Sequence, residues 1–167
     1  MLGEGELDLV ISILDSESAS FERIELFDED ILLVAPASIT TPDQNSLDIL
    51  RSSTLIQVGK GLSLCQTLSQ ITDTLNIRSP EIECQSIESA LSLVKRGLGA
   101  TIVPSYVEKY GSDEQNKNLR FMSLPTKDLP SLCDLYRRKV CLFYRKEQFL
   151  SAAEKEFILC VKQITGK

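Results

Sequence analysis

The chain carries 24 acidic against 18 basic side chains over 167 residues, a net charge of −6, and has no histidine. That balance argues against this chain holding nucleic acid by itself, because neutralising phosphates needs a surface rich in lysine and arginine. Without histidine there can be no Ser-His-Asp or Cys-His catalytic set, and the five cysteines (Cys65, Cys84, Cys133, Cys141, Cys160) never form a Cys-x-x-Cys pair that would suggest zinc.

The length suits one ordinary domain or two small lobes, and 43% hydrophobic residues can supply a sizeable core. No apolar run approaches the ~18 residues of a membrane span. The opening "MLGEGELDLVIS" has no basic stretch leading into an apolar one, so it does not read as a secretory signal. A cytoplasmic protein is expected, with no membrane partner, no metal and no cofactor. The one basic cluster, Arg137-Arg138-Lys139, reads as a solvated strand entrance.

In chain order, "LDLVIS" (Leu7–Ser12) reads as a short buried strand followed by a polar loop. "RIEL" (Arg23–Leu26) and "ILLVAP" (Ile31–Pro36) read as two further strands, the second stopped by proline. Ala37–Ser46 is loop material. "TLIQV" (Thr54–Val58) is the next strand, and after a Gly-Lys-Gly break the residues Leu64, Leu68, Ile71 and Leu75 mark one helix face. "EIEC" is a short strand, then a helix from Ser86 carries Ile87, Ala90, Leu91 and Val94 on one side. "ATIVP" is a strand, Tyr106–Tyr110 a short helix, and Leu119–Leu124 and Lys139–Arg145 are strands. The last helix starts with a capping box, Ser151 with Glu154, and its predicted buried face is Phe157, Ile158, Val161 and Ile164. Strand–helix alternation with short links predicts an α/β fold with mostly parallel sheet.

Gly97-Leu98-Gly99 invites a reading as a phosphate loop, but such a loop needs the order strand, glycine turn, helix. Here the glycines follow a helix and precede a strand. Gly97, after Lys95-Arg96, is the expected helix stop, and Gly99 the expected site of close packing. Ligand chemistry is expected instead at the strand-to-helix turns. These are Gln85-Ser86, "GKGLS" (Gly59–Ser63), and Pro104-Ser105 at a strand's carboxyl end. Unpaired N–H groups at such helix starts favour an anion or carboxylate without a basic patch.

Four segments resemble, in order and spacing, the effector-binding domain of LysR-type transcriptional regulators. They are "GELDLVI", "LFDEDILLVAP", "SIESALSLVKRGLGATIVP" and "KVCLFYRKEQFLSAAEKEFI". The most specific parts are Gly5-x-Leu7-Asp8-x-x-Ile11 and Val94-x-x-Gly97-x-Gly99-x-x-x-x-Pro104. The resemblance runs from Gly3 to about Val161. It implies a two-lobed α/β fold like a type II periplasmic binding protein, with a small effector between the lobes. Ile31–Pro36 would be one crossover strand and the stretch near Leu119–Leu124 the return. Residues 1–37 plus 126–167 would form the first lobe, and 38–125 the second.

By position the resemblance puts effector contacts at Gln57, Gly59, Leu62, Ser63, Gln85 and Ser86, with Ser12 and Ser105 as further members. Relative to the family the chain lacks the N-terminal winged helix-turn-helix, the linker helix, and the opening strand and helix of the first lobe. The expected partners are a small anionic effector and a second copy in a homodimer or higher homo-oligomer. DNA would be reached only through a domain outside this chain.

Two other readings compete. Redox sensing would use Cys65, in the first turn of a helix, with Cys84 as partner, against buried, inert roles for Cys84, Cys141 and Cys160. An enzyme on a related bilobal fold would need a constellation of titratable groups, and Asp8, Glu83 and Glu88 are scattered.

Overall fold

The computed structural model describes residues 2–3, 5–13, 20–41, 43–59, 63–124 and 136–166. The elements begin with strand β1 (Val10–Ser12), the long strand β2 (Phe21–Pro36), a 3-10 turn (Ala37–Ile39) and helix α1 (Ser46–Ser52). Next come β3 (Leu55–Val58), α2 (Ser63–Thr74), β4 (Glu81–Cys84), α3 (Ile87–Lys95) and β5 (Thr101–Pro104). The short helices α4 (Tyr106–Tyr110) and α5 (Asp113–Asn116) lead to β6 (Leu119–Ser123), β7 (Arg137–Arg145) and the C-terminal helix α6 (Ala152–Thr165). The chain divides into two compact units, Met1–Glu29 with Arg138–Lys167, and Asp30–Arg137. It passes from the first to the second within β2 and returns at the start of β7.

In the first unit β7 lies between β1 and the opening half of β2. Val10 faces Phe143 and Ser12 faces Cys141 across an antiparallel ladder. Leu26, Leu142 and Ile158 form the core, with Leu9, Ile24, Tyr144 and Val161 against it. Helix α6 opens with the expected capping box: the Glu154 N–H donates to the Ser151 hydroxyl, and the Glu154 carboxylate accepts from the Ser151 N–H. Its predicted buried face is only partly right. Ile158 is buried, but Phe157 is 46% and Ile164 79% exposed. The periodicity identifies apolar positions; among the described residues, no element covers the second stripe.

The basic cluster at the start of β7 also departs from expectation. Lys139 is solvated and pairs with Glu25 at 3.0 Å, but Arg138 and Glu29 form an ion pair in which both side chains are only 8% exposed. Such burial is tolerated only because the two charges meet each other, since either alone would be costly to desolvate.

The second unit has three layers. Its strands lie in the order β4, β3, β5, β2, β6, the β3–β5 junction being the parallel bridge from Leu55 to Ala100. Alternate residues of each strand point to opposite sides. Ile31, Leu33 and Ala35 of β2, Leu55 of β3 and Ile102 of β5 join Ile49 and Leu50 of α1 and Leu64, Leu68 and Ile71 of α2. Val34, Ile56, Val58 and Val103 point the other way, to Ala90 and Val94 of α3. Each fully buried leucine or isoleucine here contributes about 1.5–3 kcal/mol of transfer free energy.

Two sequence expectations are corrected. The separate strands Arg23–Leu26 and Ile31–Pro36 are one strand, β2, which runs unbroken through the acidic stretch Asp28-Glu29-Asp30. The sheet is also not mostly parallel: β1–β7, β2–β5 and β2–β6 are antiparallel, and β3–β4 is parallel.

The two glycines after α3 act as the sequence suggests. Gly97, at φ 78°, closes α3 through its N–H to Val94 O at 2.8 Å, with the Leu98 N–H reaching back to Leu93 O at 3.2 Å. That is the Schellman pattern, which favours glycine. At Gly99 a Cβ would lie 2.2 Å from the Thr54 carbonyl oxygen, so the close packing is against the neighbouring strand's backbone. Gly99→Ala is therefore expected to lower unfolding free energy by about 3 kcal/mol, the upper end of overpacking costs. Gly97→Ala, in open space but with a left-handed backbone, should cost about 1 kcal/mol; urea unfolding of both variants compares them.

Candidate functional site

In the second unit the parallel strands β3 and β4 end side by side, with Gln57 opposite Glu83 and Val58 opposite Cys84. Gly59, at φ 62°, donates its N–H to the Cys84 carbonyl at 2.8 Å and turns the chain out of the sheet. Four residues later α2 begins at Ser63, and the thiol of Cys65 in its first turn donates to Gln57 Oε1 at 3.4 Å. From the other side the Cys84 thiol donates to the Gln57 backbone oxygen at 3.4 Å and to Ser86 O at 3.6 Å. Gln57 is thus held at both its backbone and its side chain. With Oε1 engaged by Cys65, its amide nitrogen is left as a donor.

Gln85, exposed, and Ser86 follow directly at the start of α3. Ser86 is the N-cap: its hydroxyl accepts from the Ser89 N–H at 3.2 Å. Of the N–H groups expected to lie unpaired behind it, that of Ser89 is therefore paired. Hydrogen bonding at its own backbone N–H and at the Ser86 hydroxyl, from the first turn of α3, holds the Glu88 carboxyl below the usual glutamate range. An anion arriving at the start of α3 meets this acidic side chain in the first turn.

The remaining sequence candidates distribute as follows. Gln57, Gly59, Ser63, Gln85 and Ser86 gather at the carboxyl ends of β3 and β4. Ser105 follows β5, its N–H donating to Asp30 O at 2.8 Å, and its side chain makes no cap hydrogen bond to α4. Leu62 lies outside the described residues, as does Cys133. Ser12 ends β1 in the first unit.

Sequence reading missed the contact between Cys65 and Gln57; the cue was a polar residue at a strand end followed, eight positions on, by a thiol in a helix's first turn. The supposed buried role holds for Cys141, whereas Cys84 is half-buried and Cys160 exposed. Burial pushes the Cys84 thiol above its ordinary range, with the nearby Glu83 charge adding to the effect and a backbone hydrogen bond at Ser86 opposing it. Among the described residues no three cysteine or carboxylate side chains converge as a metal site. Asp8 lies in the first unit near Arg145 at 3.8 Å, and Glu83 and Glu88 lie in the second.

Glu88 gives a pH test with a defined sign. Its folded value is depressed, so its contribution is present above the ordinary glutamate value of about 4.3. That contribution is lost as pH falls through the lower folded value. Glu88→Gln should flatten this acid limb in thermal melts below about pH 4.3, while leaving the pH dependence near neutrality unchanged. An unchanged acid limb would show that the carboxylate does not cap α3.

The family model described as LysR substrate binding domain matches residues 1–165. No curated protein matches the chain. Among solved structures, an OxyR mutant of Corynebacterium glutamicum is 22% identical at TM-score 0.75, with 99% of this chain and 50% of that one covered. The Synechocystis CcmR regulatory domain in complex with 2-PG is 14% identical at TM-score 0.79, covering 98% and 76% respectively. The QuiR effector binding domain in complex with shikimate is 17% identical at TM-score 0.76, covering 99% and 75%. The chain thus spans half the length of the OxyR chain it matches. These likenesses give it the mixed α/β, type II periplasmic-binding-protein-like fold of LysR effector-binding domains, and no helix among the described residues is long and apolar enough to cross a membrane. With nearly its whole length matched, the chain belongs to the LysR substrate-binding domain family.

Proposed function

We infer that this chain is an effector-sensing module of a transcriptional regulator. It takes a small ligand rich in hydrogen-bond acceptors, anionic in the simplest case, at the carboxyl ends of β3 and β4. The observation that carries this reading is the fixed Gln57: its side-chain oxygen is engaged by Cys65 and its backbone oxygen by Cys84, which leaves an amide donor beside Gln85 and Ser86. In this reading the two units are the two regulatory subdomains. DNA is reached through a domain outside the chain, and the regulator works as a homodimer or larger homo-oligomer. The neighbours crystallised with 2-PG and shikimate support a small-molecule effector. A binding role suits the residues better than catalysis, because Asp8, Glu83 and Glu88 are not assembled as an acid–base set.

Calorimetric titration with 2-PG, shikimate and inorganic phosphate tests the reading. Binding of at least one is expected, and Gln57→Ala should weaken it roughly fivefold, the worth of one hydrogen bond. No binding across this set by the folded chain would count against it.

A second reading has a specific observation behind it: the two thiols nearest the site both reach Gln57. Two thiols and one peroxide would give a disulfide and two waters, and both hydrogen bonds to Gln57 would be lost. The raised Cys84 value works against this, since a protonated thiol is a poor nucleophile. Mass spectrometry after stoichiometric hydrogen peroxide separates the two readings. A Cys65–Cys84 bridge supports redox sensing, and two intact thiols leave effector binding alone.

A further inference from the structure

Between α3 and α4 the second unit holds a cavity of about 350 Å³. One wall is α3 itself, where Glu88 and Lys95 line the cavity with Leu91 between them. The other wall is α4, which presents Tyr106 and Tyr110. Both tyrosines are exposed, and the Lys109 ammonium lies 5.2 Å from the Tyr110 ring centre. Lys95 lies seven positions along the helix from Glu88, a rise of about 10 Å. The floor of the groove therefore carries a carboxylate at one end, an ammonium at the other and an apolar side chain between.

Among the described residues, neither charge is paired with an opposite one. Hydrogen bonding at its own backbone N–H and at the Ser86 hydroxyl holds the Glu88 carboxyl below the usual glutamate range. Lys95 Nζ donates to the Glu114 carbonyl at 3.4 Å, a long bond that an incoming carboxylate can replace. The two side chains leave the helix at positions about 10 Å apart along its axis, so a ligand that answers both places its own charges at about that separation. Three residues of extended polypeptide span about 10 Å, and a cavity of this size falls at the lower end of the ~300–1,000 Å³ typical of small-molecule sites.

We propose that this groove binds an extended zwitterion of tripeptide length, with its ammonium at Glu88, its carboxylate at Lys95 and an apolar central side chain on Leu91 against the two tyrosine rings. The site is separate from the Gln57 site and does not rest on the reading given to it.

The test is a titration of the full chain with unblocked Ala-Leu-Ala and with the same peptide N-acetylated and C-amidated. Tyrosine fluorescence is a direct readout, because Tyr106 and Tyr110 are two of only four tyrosines and the chain has no tryptophan; backbone amide NMR shifts locate the binding. The unblocked peptide should bind at about millimolar affinity, with shifts on α3 and α4. The blocked peptide should bind at least fivefold more weakly. Glu88→Gln and Lys95→Gln should each cost the unblocked peptide about two- to fivefold, in line with exposed charge pairs, while Gln57→Ala leaves it unchanged. Lys95→Gln, on an exposed face, serves where Glu88→Gln disturbs the helix start. Equal binding of the two peptides, shifts confined to the residues around Gln57, or no response to about 20 mM peptide overturns the proposal. Self-association through this face, seen by sedimentation and unaffected by peptide, also overturns it, and assigns the groove to a second copy of the chain.

Discussion

Two hydrogen bonds at Ala100 hold the second unit together as one layered structure. Its N–H donates to the Thr54 carbonyl at 2.9 Å, and its carbonyl accepts from the Ile56 N–H at 2.8 Å. Through them the β3–β4 pair joins the strands built on β2, and the buried Thr101 hydroxyl adds a bond to Ile56 O at 2.7 Å. The approach is so close that only glycine fits at position 99. Because β2, β3 and β5 meet in this register, their alternate residues fall on two opposite sides. One side receives α1 and α2, the other α3. The ends of β3 and β4, and with them Gln57 and Ser86, take their positions from this junction.

Much of the second unit was legible in the sequence because its elements are short and carry their own punctuation. The apolar residues of α2 recur at threes and fours, Ser86 and Ser151 sit at N-cap positions with acidic residues close behind, and Gly97 marks a helix stop. What failed were features decided by partners distant in the chain. The acidic stretch in β2 reads as a break, yet Glu29 is accommodated by Arg138, 109 residues away. Strand direction is invisible to periodicity, because parallel and antiparallel strands share the same alternation. The exposed stripe of α6 has the same composition as a buried one, and only neighbours distinguish them.

The candidate site was legible in place but not in its electrostatics. Sequence position brought Gln57, Gly59, Ser63, Gln85 and Ser86 to one end of the sheet, and the structure places them on the turns expected. The state of the α3 terminus was not readable, since whether a glutamate in a first turn faces solvent or folds back depends on its rotamer. Gln57 shows the opposite case: a strand-end residue gains a defined donor direction from a thiol on the following helix. A ligand acting through such groups changes the protein's conformation only to the extent that it binds one arrangement better than another.

The carboxylate of Glu88 behaves as a tethered occupant of its own helix terminus. A group attached to the same residue as the N–H it meets competes at a high effective concentration, commonly in the millimolar range for short tethers. Any free anion that would take that N–H competes with it. A ligand that bound at the start of α3 would therefore need further contacts of its own, and the covalent tether, as much as the helix dipole, would set that threshold.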